Sequence, residues 1–169
     1  MGSDYNLPGS ILQGGARIYV DGTAPTNELG FTQGGVTLRK ARDLNRIMAD
    51  QVGGTIKINV NADSMYLTTT LLEATKRQMM LAFTEPATNT SASGMSFGAQ
   101  APVTSEHTVQ VTGVAPAGGT RTYTFYRAVV AEDIEHVVGA RDAVGVLPFA
   151  LELLKDPDHG YLYGTYIDS

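Results

Sequence analysis

The stretch that decides the fold is residues 28–85, where glycine-punctuated extended segments lead into one helical pattern. Its signals are Glu28-Leu29-Gly30-Phe31-Thr32-Gln33-Gly34-Gly35-Val36-Thr37-Leu38, then Asp50-Gln51-Val52-Gly53-Gly54, then Ile56-Lys57-Ile58-Asn59-Val60 and finally Thr70-Leu71-Leu72-Glu73. Glycine pairs in such a setting mark turns or bulges, and apolar residues at every second position are typical of a strand. The stretch therefore predicts two extended segments between residues 36 and 50 and one strand over residues 55–69.

The same stretch predicts one helix, from Thr70 to Thr84. Thr70 and Glu73 have the spacing of a capping box, in which each side chain bonds the backbone amide of the other. Pro86 ends the helix, because the residue before a proline is displaced from the helical region. An apolar face on this helix must cover a sheet, since one helix cannot bury it alone. That face consists of Leu72, Met79 and Phe83, with Lys76 and Arg77 toward water.

Outside this stretch the chain continues as strands and turns. The predicted strands are residues 17–20, 109–114, 122–130, 144–154 and 161–167, the fourth with Leu147, Phe149, Leu151 and Leu153 on one face. We expect a flexible arm over residues 1–14, a single domain over residues 15–169, and a long loop over residues 84–105. The predicted fold is mainly β (α+β), a sandwich or barrel-like sheet with one flanking helix.

Composition restricts the function. The 169 residues suffice for one domain with its own core, and the absence of cysteine excludes disulfides and thiolate chemistry. No signal peptide or apolar run of membrane-spanning length is evident, so we expect a soluble chain that does not contact membranes. The net charge of −5 disfavours binding of nucleic acid as a ligand, whereas an acidic wall suits DNA that slides past.

The residues that bear chemistry form no pattern of a known active site. The three histidines are far apart, and the glycine pairs match neither phosphate-binding nor dinucleotide-binding loops. Carboxylates such as Asp142 leave a glycosidase pair open in principle, but the chain lacks the tryptophan common at sugar sites. We therefore expect no catalytic residues, no metal and no cofactor.

The order of these elements carries a family resemblance. The runs are Gly34-Gly35-Val36-Thr37-Leu38, Asp50-Gln51-Val52-Gly53-Gly54, Leu71-Leu72-Glu73-Ala74-Thr75, Leu147-Pro148-Phe149 and Gly160-Tyr161-Leu162-Tyr163-Gly164. In this order, from about Ala16 to Ser169, the sequence resembles the major tail tube protein of long-tailed bacteriophages. The resemblance implies a virion tail protein that assembles in the host cytoplasm into stacked hexameric rings, whose strands form one β-barrel around the passing DNA.

The resemblance also implies roles for parts of the chain. Residues 36–69 and 109–130 are expected to form the wall, and residues 1–14 and 84–105, with Met95 and Phe97, to join successive rings. The lumen is expected to be acidic, and Asp43, Asp50 and Asp63 are the candidates for its lining. The implied partners are further copies of the chain and the tape-measure, terminator and tip or baseplate proteins, with DNA only in passage.

One basic cluster departs from an acidic wall, namely Arg39, Lys40, Arg42 and Arg46. Strand alternation places Lys40 and Arg42 on the face of Val36 and Leu38, and Arg39 on the other face with Asp43. We expect these bases at subunit interfaces or paired with acids, since four lumenal bases would retard DNA. Lumenal exposure of all four would contradict the strand assignment.

Two alternatives stay open at the level of sequence. One is a related ring-forming protein of a tail tip or a secretion system. The other is a β-sandwich module that binds carbohydrate on a host surface, for which Tyr161, Tyr163 and Tyr166 are the available aromatic cluster. An enzyme is the least supported class.

Overall fold

The computed structural model describes residues 16–49, 54–72, 74–86, 90–91, 94–98, 105–115, 118–130, 134–136 and 146–169. The described chain is mainly β with one α-helix, which confirms the predicted fold class, and its sheet is open rather than closed into a barrel. The strands are β1 Arg17–Val20, β2 Thr32–Ala49, β3 Gly54–Leu71, β4 Thr90–Ser91, β5 Gly94–Met95, β6 His107–Val114, β7 Thr120–Val130, β8 Leu147–Leu154 and β9 Gly164–Asp168; the helix, α1, is Lys76–Ala82. The expected arm at residues 1–14 lies outside the described residues.

Seven of the strands form one antiparallel sheet in the order β1-β6-β7-β8-β3-β2. β9 is the seventh and pairs with β7. β8 occupies residues 127–130 of β7 and β9 occupies residues 121–125, both on the side opposite β6. β9 thus follows β8 along the same side of β7, and a turn over residues 155–163 separates the two.

The core lies on one face of this sheet. Alternate residues of β8 point inward, so Leu147, Phe149, Leu151 and Leu153 are buried, as predicted. They pack with apolar residues of the neighbouring strands, namely Ile18, Val20, Leu67, Leu71, Val109 and Phe125.

Four predicted elements differ from the structure, three of them outside the helix. β2 is one continuous strand rather than two segments, since the two glycines at its start form a bulge with positive φ and the ladder continues beyond it. The last strand begins at Gly164 rather than at Tyr161, because residues 157–160 turn the chain and Leu162 bridges back to Asp156. The predicted loop contains the β4–β5 hairpin, whose Ser91 carbonyl accepts a bond of 2.7 Å from Lys76.

The predicted helix start at Thr70 is wrong. Thr70 and Leu71 close β3 and pair with β8, so sheet hydrogen bonds take the backbone groups that a helix would need. The helix is capped by Thr75, whose hydroxyl accepts from the amide of Gln78 while the Gln78 side chain accepts from the Thr75 amide. Glu73, the other half of the predicted box, lies outside the described residues.

The short helix is held by tertiary bonds. Gln78 is buried and donates to the carbonyl of Leu29, and Arg77 donates to the carbonyl of Val20 at 3.1 Å. Arg77 is therefore an anchor rather than a solvated residue. Met79 and Phe83 pack against the core, as predicted, whereas Leu72, the third residue of the predicted apolar face, precedes the helix. No helix in the described residues has the length and hydrophobicity to span a membrane.

Candidate functional site

The candidate site is a β-ribbon that projects from the sheet. Among the described residues, β8 pairs with β3 only from Met65 to Leu71, and residues 54–64 of β3 pair with β2 alone. We call residues 41–49 and 54–64 the ribbon. At about 3.3 Å per residue, residues 54–64 carry it about 35 Å beyond the end of β8.

The register assigns each ribbon side chain to one of two faces. The inner face continues the sheet face of Val36, which packs against the core, and of Leu38, which is 40% exposed. Its β2 residues are Lys40, just before the ribbon, and Arg42, Leu44, Arg46 and Met48. The outer face carries Arg39, Ala41, Asp43, Asn45 and Ile47. The predicted alternation of Lys40 and Arg42 against Arg39 and Asp43 is confirmed. Register shifts leave Asn61 and Ile56 of β3 without a directly opposite residue on β2.

The inner face passes from core to solvent along a single strand. Leu67 is 1% exposed, whereas Ile58 and Val60 of the same strand are 55% and 57% exposed. On the facing strand, Met48 is 69% and Leu44 38% exposed. Several large apolar side chains in one contiguous strip are typical of an interaction surface rather than of scattered exposure.

The ribbon also has unpaired backbone edges. Among the described residues, no strand pairs with the outer edge of β2 or with residues 54–64 of β3 on the side away from β2. Edge strands of this length offer hydrogen-bonding groups to another chain.

Charge divides the molecule into two parts of opposite sign. Residues 39–64 carry five bases against three acids, which leaves seven bases against fourteen acids in the remainder. The stretch of residues 39–64, which contains the ribbon, thus has a positive net charge and the rest of the sequence a negative one.

A charge cluster lies at the base of the ribbon. The Asp63 carboxylate accepts from Lys155 Nζ at 2.7 Å and contacts Lys40 Nζ at 3.0 Å. The hydroxyl of Tyr163 donates to the Asp63 carbonyl at 2.8 Å. Hydrogen bonds from Lys155 and then Lys40 lower the pKa of Asp63 to about 2. The cluster joins β3 to the segments that follow β8, at the point where β8 ends.

The three acids predicted for a lumen do not form one surface. Asp63 lies on the inner face with its charge shared by two ammonium groups, and Asp43 lies on the outer face, where it accepts from Asn61 at 3.2 Å. Asp50 lies outside the described residues. One ribbon face therefore presents at most one of the two described acids, and their lumenal role stays a prediction.

The predicted interface bases are also divided. Lys40, Arg42 and Arg46 lie on the inner face, among the exposed apolar residues, and Arg39 lies on the outer face. Their place at a subunit interface stays a prediction, but the four do not share one face. Sequence reasoning did not identify the exposed apolar strip. The available signal was that the predicted strand over residues 55–69 is longer than the one over residues 144–154.

The predicted ring-joining residues lie beside the helix. Phe97 is exposed and packs edge to face on Phe83, with ring centroids 5.5 Å apart. Met95 belongs to β5, in the small hairpin that Lys76 contacts through Ser91. The structure does not test their role between rings.

The tyrosines proposed for a carbohydrate groove separate into two sites. Tyr161 and Tyr163 line the pocket at the ribbon base. Tyr166 instead packs on Tyr123, with centroids 5.8 Å apart, and under Arg121 at 5.0 Å. The three rings thus do not form one aromatic platform.

Comparison with known proteins finds a distant likeness to a solved structure and none to a family or a curated protein. No protein-family model and no curated protein matches the chain. The chain is similar to a chain of a solved structure described as a cryo-EM structure of the anti-feeding prophage baseplate, 6-fold symmetrised. The two are 10% identical, the match covers 90% of this chain and 91% of that chain, and the TM-score is 0.48. A TM-score below 0.5 is too low to assign a function.

Proposed function

We propose that this protein is a structural subunit that assembles with copies of itself into hollow rings and tubes, as the tube of a bacteriophage tail, and that it is not an enzyme. The observation that carries the proposal is the ribbon, whose apolar inner face is uncovered and whose edges are unpaired. Among the described residues, no other element covers this exposed strand pair.

A second copy supplies what the ribbon lacks. Burying the exposed half of an isoleucine side chain contributes about 1 kcal/mol, so the strip contributes several kcal/mol when a neighbour covers it. Pairing of the free edges removes the unpaired backbone groups at the same contact. Two kinds of interaction therefore favour the same assembly.

Charge favours a head-to-tail arrangement. Residues 39–64, with five bases against three acids, repel the same stretch of another copy but attract the acidic remainder of a neighbouring chain. Such a heterologous contact forms a ring when the rotation between neighbours closes, and stacked rings form a tube. Strands contributed by several copies can close a wide barrel that no single open sheet provides.

The tail assignment is supported by the ordered sequence resemblance to major tail tube proteins. In this proposal the ribbon and the β6–β7 hairpin contribute to the wall, and the bases of residues 39–64 lie at subunit contacts or are paired with acids, so that they do not retard the passing DNA. Tape-measure, terminator and tip or baseplate proteins are the further partners. A tail-tip or secretion-system ring is the alternative, and rings that never extend into tubes would favour it.

The test is electron microscopy of the purified protein in negative stain over a concentration series, together with sedimentation velocity. The wild-type protein should form hollow rings or tubes. Ile58→Thr combined with Val60→Thr should abolish them without unfolding the monomer, because both side chains are already exposed. Ile167→Thr is the matched control, since Ile167 is 67% exposed on β9 and lies outside the ribbon. Small particles at every concentration, or equal assembly of wild type and the double variant, would refute the proposal.

A further inference from the structure

We propose that the pocket formed by Lys40, Lys155 and Tyr163 at the base of the ribbon is a docking site for a carboxylate side chain of a second copy of this chain. The inference rests on the proposed self-assembly and identifies one polar contact within it.

The pocket is a cleft where the sheet divides. β3 leaves the sheet where β8 ends, and β9 continues along β7 without pairing to β3 in the described residues. The space between them, about 380 Å³, is lined on one side by Lys40 and Asp63 and on the other by Phe125 and Gly164. It opens to the surface beside Tyr161 and Leu162, which are 68% and 50% exposed.

The charges in this pocket are unbalanced. Two ammonium groups share one carboxylate, and each ammonium has three N–H donors. In the described part of the chain, Asp63 is the one carboxylate in ion-pair contact with either lysine. The lysine side chains are 39% and 45% exposed, whereas that of Asp63 is 21% exposed, so the cations face outward and the anion lies behind them.

An aromatic ring holds the two cations close together. Lys40 Nζ lies 5.8 Å and Lys155 Nζ 5.4 Å from the centroid of the Tyr163 ring. Attraction to the ring face favours cations at this distance. The ring itself is fixed by the bond from its hydroxyl to the Asp63 carbonyl. Two preorganised ammonium groups are a receptor for one further carboxylate.

The partner that fits is another copy of this chain. Outside residues 39–64 the chain carries fourteen acids against seven bases, so a neighbour presents carboxylates in excess. The exposed rim of Tyr161 and Leu162 adds apolar area to such a contact. A carboxylate of the neighbour would complete the charge balance that Asp63 leaves incomplete.

The first test uses two substitutions that should change self-association in opposite directions. Lys155→Gln removes a cation and should weaken self-association about tenfold in dissociation constant, measured by sedimentation. Asp63→Asn releases both cations from their internal partner and should strengthen association. Lys76→Gln removes the same charge from the exposed helix and should change association less than about twofold. Weakening by both Lys155→Gln and Asp63→Asn would overturn the inference, because a purely internal ion pair predicts that result.

The second test covers the case in which Asp63→Asn does not fold. A mixture of ¹⁴N- and ¹⁵N-labelled wild-type protein is cross-linked with a carbodiimide, which joins amines to carboxylates in direct contact. Cross-linked peptides of mixed isotope that contain Lys40 or Lys155 would support the docking site. Cross-links of these lysines only to Asp63 of the same chain would overturn it.

The outcomes separate this inference from the proposed function. If the ribbon double variant stops assembly while Lys155→Gln does not and no mixed cross-links form, the function stands and the docking site is wrong. If the wild-type protein never associates, both are wrong.

Discussion

Substitutions at two positions of β3 should differ sharply in their effect on folding. Leu67 and Ile58 lie on the same inner face of one strand, but Leu67 is 1% exposed and Ile58 is 55% exposed. Leu67 packs in the core cluster with Phe149 and Leu151. Truncation to alanine therefore leaves a cavity at the first position and only removes an already solvated side chain at the second.

The magnitudes follow from burial. Leu67→Ala should lower the free energy of unfolding by about 3 kcal/mol, the usual sum of lost transfer energy and residual cavity. Ile58→Ala should lower it by about 1 kcal/mol or less, since roughly half of the transfer energy of an isoleucine is lost and no cavity forms. The difference of about 2 kcal/mol corresponds to a shift of about 1 M urea in the midpoint for a slope of about 2 kcal/mol per molar.

The assay is urea unfolding of the monomeric fraction, isolated by size exclusion at low concentration and followed by tyrosine fluorescence and circular dichroism. Assembly is measured on the same variants, where the order should reverse: Ile58→Ala weakens self-association more than a folded core variant does. Equal unfolding costs at the two positions would show that the ribbon folds back onto the sheet of its own chain, and would refute the reasoning behind the assembly surface.

Three further predictions concern the ribbon base, the helix and the last strand. Hydrogen bonds from Lys155 and then Lys40 lower the pKa of folded Asp63 from 3.8 to about 2. The ionised carboxylate therefore stabilises the fold above about pH 4, and this stabilisation is lost as the pH falls through about 2. Urea unfolding of Asp63→Asn and wild type from pH 5 to 2 should show a difference in stability that vanishes at the acid end. Thr75→Ala removes the helix cap and should lower the free energy of unfolding, measured by thermal denaturation, by about 1 kcal/mol. Thr75→Ser keeps the hydroxyl and should change it little. Gly164→Ala places a Cβ against the Thr124 carbonyl oxygen, closer than van der Waals contact allows, and should lower the free energy of unfolding by about 1–3 kcal/mol, with faster amide exchange across β9. Gly113→Ala, whose Cβ meets nothing within 4 Å, is the control, and equal exchange in both variants would contradict the clash.

Much of the sheet could be predicted from local patterns. β1, β6, β7 and β8 were predicted within a few residues, because an apolar residue at every second position with turn residues at each end is a local signal. The helix start was not. Thr70 and Glu73 have the spacing of a capping box. However, Thr70 and Leu71 pair with β8, so their backbone groups belong to the sheet rather than to a helix. A competing strand that lies almost eighty residues away in sequence leaves no trace in the local pattern.

The candidate site was likewise predictable only in part from the sequence. From its residues alone, the sequence determined that Ile58 and Val60 share a strand face, that residues 39–64 are basic, and that the remainder is acidic. Only the tertiary structure decided which part of that face is covered. β3 is eighteen residues long and β8 is eight, so the apolar strip leaves the core where β8 ends. Alternation specifies which side chains point the same way, but burial depends on which strand lies beside them and how far it reaches, and that is a property of the packed sheet.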